Sequence, residues 1–209
     1  MLSIKTFVEG PIDANNYLLT DEDSREAVLI DCSSSRDEFV NSIKDANVTL
    51  KYILLTHGHF DHLLGVDKFK KEFCVETYVS KDDMTQVELA PQMLGIFAGS
   101  MTEDIKSIKN FVSDGDEFKI GNYTIKAIST PGHTRGGMCY LVDNKLFSGD
   151  TLFQGSVGRC DLPEGDLQSL ISGIKNKIFS LPENTEVFPG HGAKTTIGYE
   201  KKYNEIINY

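Results

Sequence analysis

The sequence predicts an α/β protein of two facing sheets with helices on the outer faces. Strand-like and helix-like runs occur in both halves of the chain, and no low-complexity linker or shift of composition divides them. The run Tyr52-Ile53-Leu54-Leu55 is apolar throughout and ends in Thr56-His57-Gly58-His59. A strand buried on both faces reads this way, and it delivers polar residues at its carboxyl end, where α/β folds commonly bind ligands. The whole chain, residues 1–209, is read as one domain.

The elements follow in order. Residues 2–8, 16–20 and 26–31 are apolar runs separated by turn residues and read as strands. Ser35-Arg36-Asp37-Glu38 fits a capping box, with Phe39, Val40 and Ile43 as the buried stripe of the helix it would open. Beyond the apolar run at 52–55, residues 61–73 read as helix, 75–79 as strand and 81–89 as helix. Residues 90–101, interrupted by Pro91, Gly95 and Gly99, read as a loop or lid. Residues 117–120 and 123–128 flank a Gly121-Asn122 turn and form a hairpin; 138–142 and 145–147 form a second pair around Asp143-Asn144. Leu167, Leu170, Ile171, Ile174 and Ile178 then recur at helical spacing, before a short strand at 186–188 and a closing helix from about Ile197.

Composition excludes several classes. A hydrophobic share of 40% and a charged share of 25% are ordinary globular usage, which argues against disorder or a membrane protein. With 31 acidic and 21 basic residues the net charge is -10, so the average surface repels phosphate backbones and nucleic acid is not an expected partner. Cys32, Cys74, Cys139 and Cys160 form no C-x-x-C pair, so neither a zinc ribbon nor a disulfide framework is readable. Lys5 and Glu9 interrupt the stretch where a signal peptide would be apolar, and a cytoplasmic protein without membrane attachment is expected.

All five histidines fall in three short glycine-bearing segments: Thr56-His57-Gly58-His59-Phe60-Asp61-His62, Pro131-Gly132-His133-Thr134 and Pro189-Gly190-His191-Gly192. A lone histidine is more often a satisfied core or surface side chain than a ligand. Three imidazoles and a carboxylate crowded into one turn are costly without a cation, and they suit zinc, iron or manganese. If residues 56–60 stay extended, His57 and His59 share a face, and Asp61 and His62 enter a helical turn facing a second position. Two adjacent sites need a shared anion, for which Asp150 in Ser148-Gly149-Asp150-Thr151 is the best candidate.

Together, T-H-G-H-F-D-H, Pro-Gly-His133-Thr, Gly-Asp150-Thr-Leu-Phe and Pro-Gly-His191-Gly resemble the metallo-β-lactamase superfamily, and within it the compact, single-domain glyoxalase II (hydroxyacylglutathione hydrolase)-like hydrolases. The resemblance implies an αββα sandwich of two mixed sheets and two divalent metal ions, zinc first, with iron or manganese also compatible. It implies that His57, His59 and His133 hold one ion, Asp61, His62 and His191 the other, and that Asp150 bridges them. Asp61 and Asp150 are then the expected catalytic residues, with Asp61 orienting a metal-bridged hydroxide that attacks a small-molecule thioester such as S-lactoylglutathione. Arg159, in a loop resembling the one after the bridging aspartate, is the expected substrate contact. Its structural alternative is a pair with Asp161. The resemblance is to the compact type, so the helical carboxyl-terminal domain with which larger glyoxalase II enzymes help hold glutathione is not expected, and the glutathione pocket is expected to be incomplete or differently built.

Alternatives remain: an iron-dependent persulfide dioxygenase, a hydrolase of another small ester, lactone or phosphoester, or a structural metal site, although closed structural zinc sites are usually rich in cysteine. Cys160 fits no ligand position. Phe60 and Leu63-Leu64 read as packing residues, and Asp31 as a hydrogen-bonding support for the ligand loop.

Overall fold

A computed structural model describes residues 1–99 and 105–208. Strands β1 (Leu2–Glu9), β2 (Ala14–Asp21) and β3 (Glu26–Ile30) pair antiparallel in turn, and β4 (Thr49–Leu54), β5 (Glu76–Ser80) and β6 (Asn110–Val112) continue the sheet parallel to β3. The parallel connections carry helices, as such crossovers require: α1 (Asp37–Lys44), α2 (Phe60–Leu63), α3 (Val66–Phe73) and α4 (Met84–Ala98). The second sheet has the order β14-β13-β10-β9-β8-β7. It is built from β7 (Glu117–Ile120), β8 (Tyr123–Ser129), β9 (Met138–Val142), β10 (Lys145–Gly149), β13 (Glu186–Pro189) and β14 (Thr195–Thr196). Between β10 and β13 lie the small hairpin of β11 (Leu152–Phe153) and β12 (Ser156–Val157) and helix α5 (Leu167–Gly173), which widens into a π turn at Ile174–Ile178. Helix α6 (Ile197–Tyr203) follows β14.

Alternation along the strands sorts the core into three layers. Tyr17, Leu19, Val28, Ile30 and Leu54 from the first sheet meet Phe118, Ile125, Tyr140, Phe147 and Phe188 from the second. The opposite faces of the same first-sheet strands give Leu18, Leu29, Ile53 and Leu55 to α1, α3 and α4. The outer face of the second sheet gives Cys139, Leu146 and Val187 to α5 and its π turn. The result is helix, sheet, sheet, helix, as the resemblance implies. The apolar run at 52–55 is buried on both faces because it lies mid-sheet between parallel neighbours. No helix among the described residues is long and apolar enough to cross a membrane.

Several local readings are corrected. The capping box at Ser35 does not form: α1 begins after Arg36, which makes no side-chain cap, and the hydroxyl of Ser34 accepts from the Arg36 N–H instead. The preceding segment is pinned elsewhere, Cys32 N–H to the His62 carbonyl and Ser33 N–H to Asn16, and this sets where the helix can start. The helix expected over 61–73 is two helices, because Cys32 takes its backbone bonds there: its N–H donates to the His62 carbonyl and its carbonyl accepts from the Gly65 N–H, each at 2.8 Å, an approach so close that a Cβ at Gly65 would lie 2.3 Å from the Ser34 carbonyl oxygen.

Residues 90–98 are helical rather than loop. Pro91 can donate no N–H to the turn before it, but Val87, Ala90 and Leu94 are buried against the first sheet, and that packing outweighs the break. Ser100 and Met101 of the expected lid lie outside the described residues. Strands β6, β11, β12 and β14, each of two or three residues, carry too few side chains to show a period.

Candidate metal centre

Each histidine and aspartate singled out in the sequence follows the carboxyl end of a strand. His57 and His59 leave β4, and Asp61 and His62 occupy α2 immediately beyond it. His133 lies in the β8–β9 connection, Asp150 follows β10 directly, and His191 follows β13. β8, β10 and β13 point the same way through their pairings, so their ends open on one edge of the second sheet. The Met138 N–H donates to the Thr56 carbonyl (2.8 Å) and the Tyr140 hydroxyl to the Leu55 carbonyl (2.7 Å), which brings the end of β4 to that edge.

All seven side chains converge. The ligand atoms of His57, His59 and His133 lie within 4.8 Å of one another, as do those of Asp61, His62 and His191, and those of His57, His62 and Asp150. The Asp150 carboxylate faces both triads: Oδ2 is 3.5 Å from His133 Nε2 and 3.8 Å from His191 Nε2, and Oδ1 is 3.5 Å from His62 Nε2. Within the second triad, Asp61 Oδ2 lies 3.1 Å from His191 Nε2 and 3.3 Å from His62 Nε2.

Nitrogen and oxygen ligands about 2.0–2.1 Å from a tetrahedral zinc ion sit roughly 3.3 Å apart, so these separations fit shared cations. The buried atoms His57 Nε2, His62 Nε2 and Asp150 Oδ1 have no hydrogen-bond partner, a cost that a bound cation would remove.

Electrostatics agree with ligation. Burial pushes His57 far below the ordinary histidine range and His59 down to about 3, so both present neutral lone pairs at neutral pH. Burial also opposes charge on His62, but the carboxylates of Asp61, Asp31 and Asp150 outweigh it and raise the imidazole well above its usual value. Burial works against the Asp61 carboxylate too, yet His62 and His191 hold it far below the ordinary range. The protein thus presents neutral imidazoles at His57 and His59 and gathers carboxylates around His62, whose negative charge a bound cation would balance in place of a proton.

A family model described as the metallo-beta-lactamase superfamily matches residues 10–191. The chain belongs to the metallo-beta-lactamase superfamily. Among its relatives, the hydroxyacylglutathione hydrolase GloC of Haemophilus influenzae is 33% identical, over 92% of each chain. The crystal structure of the BLEG-1 B3 metallo-beta-lactamase superposes with a TM-score of 0.91 at 35% identity, covering 99% of this chain and 100% of that one. The crystal structure of TTHA1623 in a di-iron-bound form does so with a TM-score of 0.85 at 29% identity, covering 96% and 98%.

In this metallo-beta-lactamase-fold chain a surrounding layer of groups fixes the imidazoles. Asp31, the terminal residue of the third strand-like run, accepts from the Thr56 N–H (2.7 Å) and pairs through Oδ2 with His62 Nδ1 (2.8 Å). The Thr56 hydroxyl lies 2.9 Å from Asp31 Oδ2 and 3.0 Å from His57 Nδ1; donating to the carboxylate, it accepts from the ring. Asp31 therefore orients one histidine of each triad and turns both Nε2 atoms inward. His133 Nδ1 lies 2.7 Å from the Arg159 carbonyl, which directs its Nε2 to the centre. Asn15 and Tyr17 donate to the Pro189 carbonyl at 3.0 and 2.6 Å and anchor the strand end that carries His191. Gly190 admits no side chain, since a Cβ there would lie 2.2 Å from Asp150 Oδ1.

Sequence reasoning missed Asp83, whose trace is only an acidic pair after a strand. It is fully buried and accepts from the Gly58 N–H (2.8 Å), the Thr134 hydroxyl (2.8 Å) and the Gly136 N–H (2.5 Å), joining the two loops that hold the first triad. Burial raises its carboxyl above the ordinary range despite these donors. Asp83→Ala leaves three buried donors unpaired, so a loss of roughly 2–4 kcal/mol is expected. Thermal unfolding should show the midpoint falling by roughly 6–12 °C; an unchanged midpoint would contradict the joining role.

Beside the centre lies a cavity of about 100 Å³ lined by His59, Asp61, His133, Asp150 and His191 on one side and by Ile12, Phe60, Met93, Phe97 and Leu162 on the other, with Arg159 at its edge. Phe60 thus packs α2 and also walls the cavity, its ring stacked on Phe97 at 6.0 Å. Arg159 is half exposed and bonded in fork fashion to Asp161 at 2.7 and 2.8 Å, so the structural pair exists and the guanidinium still borders the cavity. Cys160 is half-buried and fits neither triad.

Proposed function

We propose that this metallo-hydrolase cleaves a thioester, S-lactoylglutathione or a related acyl thiol. The observation that carries the reading is the lining of the cavity: among the described residues, apart from the candidate ligands, the one ionisable side chain there is Arg159, which does not give up its proton at neutral pH. A leaving group must therefore depart as an anion, and a thiolate does so readily, since thiols ionise near about 8.5. An amide or alkoxide leaving group would call for a donor. The hydroxyacylglutathione hydrolase among the relatives supports the same substrate class.

His57, His59 and His133 would hold one divalent metal and Asp61, His62 and His191 the other, with Asp150 shared. Bound metals supply Lewis acidity, lowering the pKa of a water between them and polarising the substrate carbonyl. Asp61 turns Oδ2 towards His191 and His62, leaving Oδ1 to accept a hydrogen bond from the attacking water and orient it. The water oxygen forms the bond to the acyl carbon, the C–S bond breaks and sulfur leaves with the electron pair, and the water's protons pass to solvent, leaving a carboxylate and a thiolate.

Turnover of a panel of acyl thiols by zinc-, iron- and manganese-loaded protein tests the proposal, and inactivity on every member would remove it. Oxygen uptake with glutathione persulfide by the iron form would favour the dioxygenase reading instead.

Arg159 is proposed as a rim contact for anionic carriers, restrained by Asp161. Asp161→Asn should release the guanidinium and lower KM for a glutathione thioester by about 2- to 3-fold, on the scale of an exposed ion pair, with a neutral thioester unchanged. Equal effects on both substrates in steady-state kinetics would assign Arg159 to structure alone.

A further inference from the structure

Resting on the thioester reading, we propose that the acyl group selected by this site is an unsubstituted apolar chain, and that Ile12, Met93, Phe97 and Leu162 form the subsite that selects it. The cavity has two unlike halves. One is the histidine and aspartate cluster; the other is a wall of aliphatic, aromatic and thioether side chains from the β1–β2 turn, α4 and the loop before α5. Ile12 is 45% exposed and Phe97 48% exposed, although both are large and apolar. Two such side chains on separate elements, open to water and facing one cavity, mark a surface that a ligand covers. Phe97 is held for that purpose: its ring lies nearly parallel to that of buried Phe60, at an interplanar angle of 18°.

Size decides which half of a thioester enters. About 100 Å³ is below the roughly 300 Å³ at which sites for drug-sized ligands begin. The thiol carrier is the larger half of a biological thioester, so the enclosed space takes the acyl group and the carrier lies over the mouth. Polarity decides the kind of acyl group. Among the described residues the wall offers no hydrogen-bonding side chain beyond the weak methionine sulfur, and the guanidinium of Arg159 is already forked onto Asp161. A hydroxyl placed there loses its water without compensation.

The test uses one carrier, glutathione, bearing lactoyl, propionyl or butyryl groups, with metal-loaded protein. Propionyl differs from lactoyl by a single hydroxyl, and butyryl adds one methylene. kcat/KM should favour propionyl over lactoyl by about fivefold and rise again for butyryl; a methylene in a closed pocket is worth roughly 10–200-fold, and a half-open pocket returns less. Phe97→Ser and Met93→Ser should bring these ratios towards one with metal content unchanged. Lactoyl turned over as well as propionyl, or ratios unaltered in both folded variants, would overturn the subsite.

Binding of the product carboxylates, followed by calorimetry, needs no turnover. Butyrate should bind more tightly than lactate to the wild-type protein, with the difference lost in Phe97→Ser. If no acyl thiol is cleaved, the thioester reading fails on that result alone, and the carboxylate comparison still decides the subsite: equal binding overturns it, and the expected difference sustains an apolar-chain site serving other chemistry.

Discussion

Replacing Asp150 with alanine is expected to empty both metal positions and to lower hydrolysis by about 10³-fold or more. Its two carboxylate oxygens face His62 on one side and His133 and His191 on the other, so its removal takes away the one carboxylate that faces both triads among the candidate ligands. Five imidazoles would then face two dications with Asp61 as the sole carboxylate among the ligand candidates. Lewis-acid stabilisation is worth several kcal/mol of transition-state charge, and about 4 kcal/mol corresponds to about 10³ in rate. Metal content by plasma emission spectroscopy and single-substrate kinetics are the measurements. A folded variant that retains two equivalents of metal and full activity would end the bridging assignment.

The second large effect is expected at a residue outside the ligand set. Asp31→Asn keeps an acceptor for the Thr56 N–H and a residue type that tolerates the left-handed backbone found there, φ 61°. What it removes is the negative charge behind His62 Nδ1 and, through the Thr56 hydroxyl, behind His57 Nδ1. A loss of about 10- to 100-fold in metal affinity is expected. Because one histidine of each triad is oriented this way, competition with a chelator should show both equivalents weakened. Weakening of the His62 position alone would show that the Thr56 relay does not reach His57.

The contrast between Asp31 and Asp83 shows how far the sequence carries. Asp31 closes an apolar run next to Cys32, and its supporting role is readable from that position. Asp83 does comparable work from the start of α4, but its three partners come from two loops distant in the chain, and no local pattern links them. The helical state of residues 90–98 was hidden for a related reason. Pro91, Gly95 and Gly99 are local signals for interruption, and burial of Val87, Ala90 and Leu94 against a sheet formed by other segments overrides them.

By itself the sequence determined the layered α/β architecture and the succession of its long strands, and its family resemblance named the seven histidines and aspartates that the structure brings together. The elements follow from features written within a few residues, namely apolar runs, alternation and turn glycines, and the crowding of His57, His59, Asp61 and His62 marks a candidate metal cluster, whereas His133 and His191 join it through the resemblance. Only the tertiary structure decided that four ligand candidates from the first sheet and three from the second meet at one edge, that Asp150 faces both triads, and that an apolar wall stands opposite them. The reason is that these relations depend on how two sheets stack and how a helix lies across their open end, contacts between residues 130 or more positions apart that no short window of sequence contains.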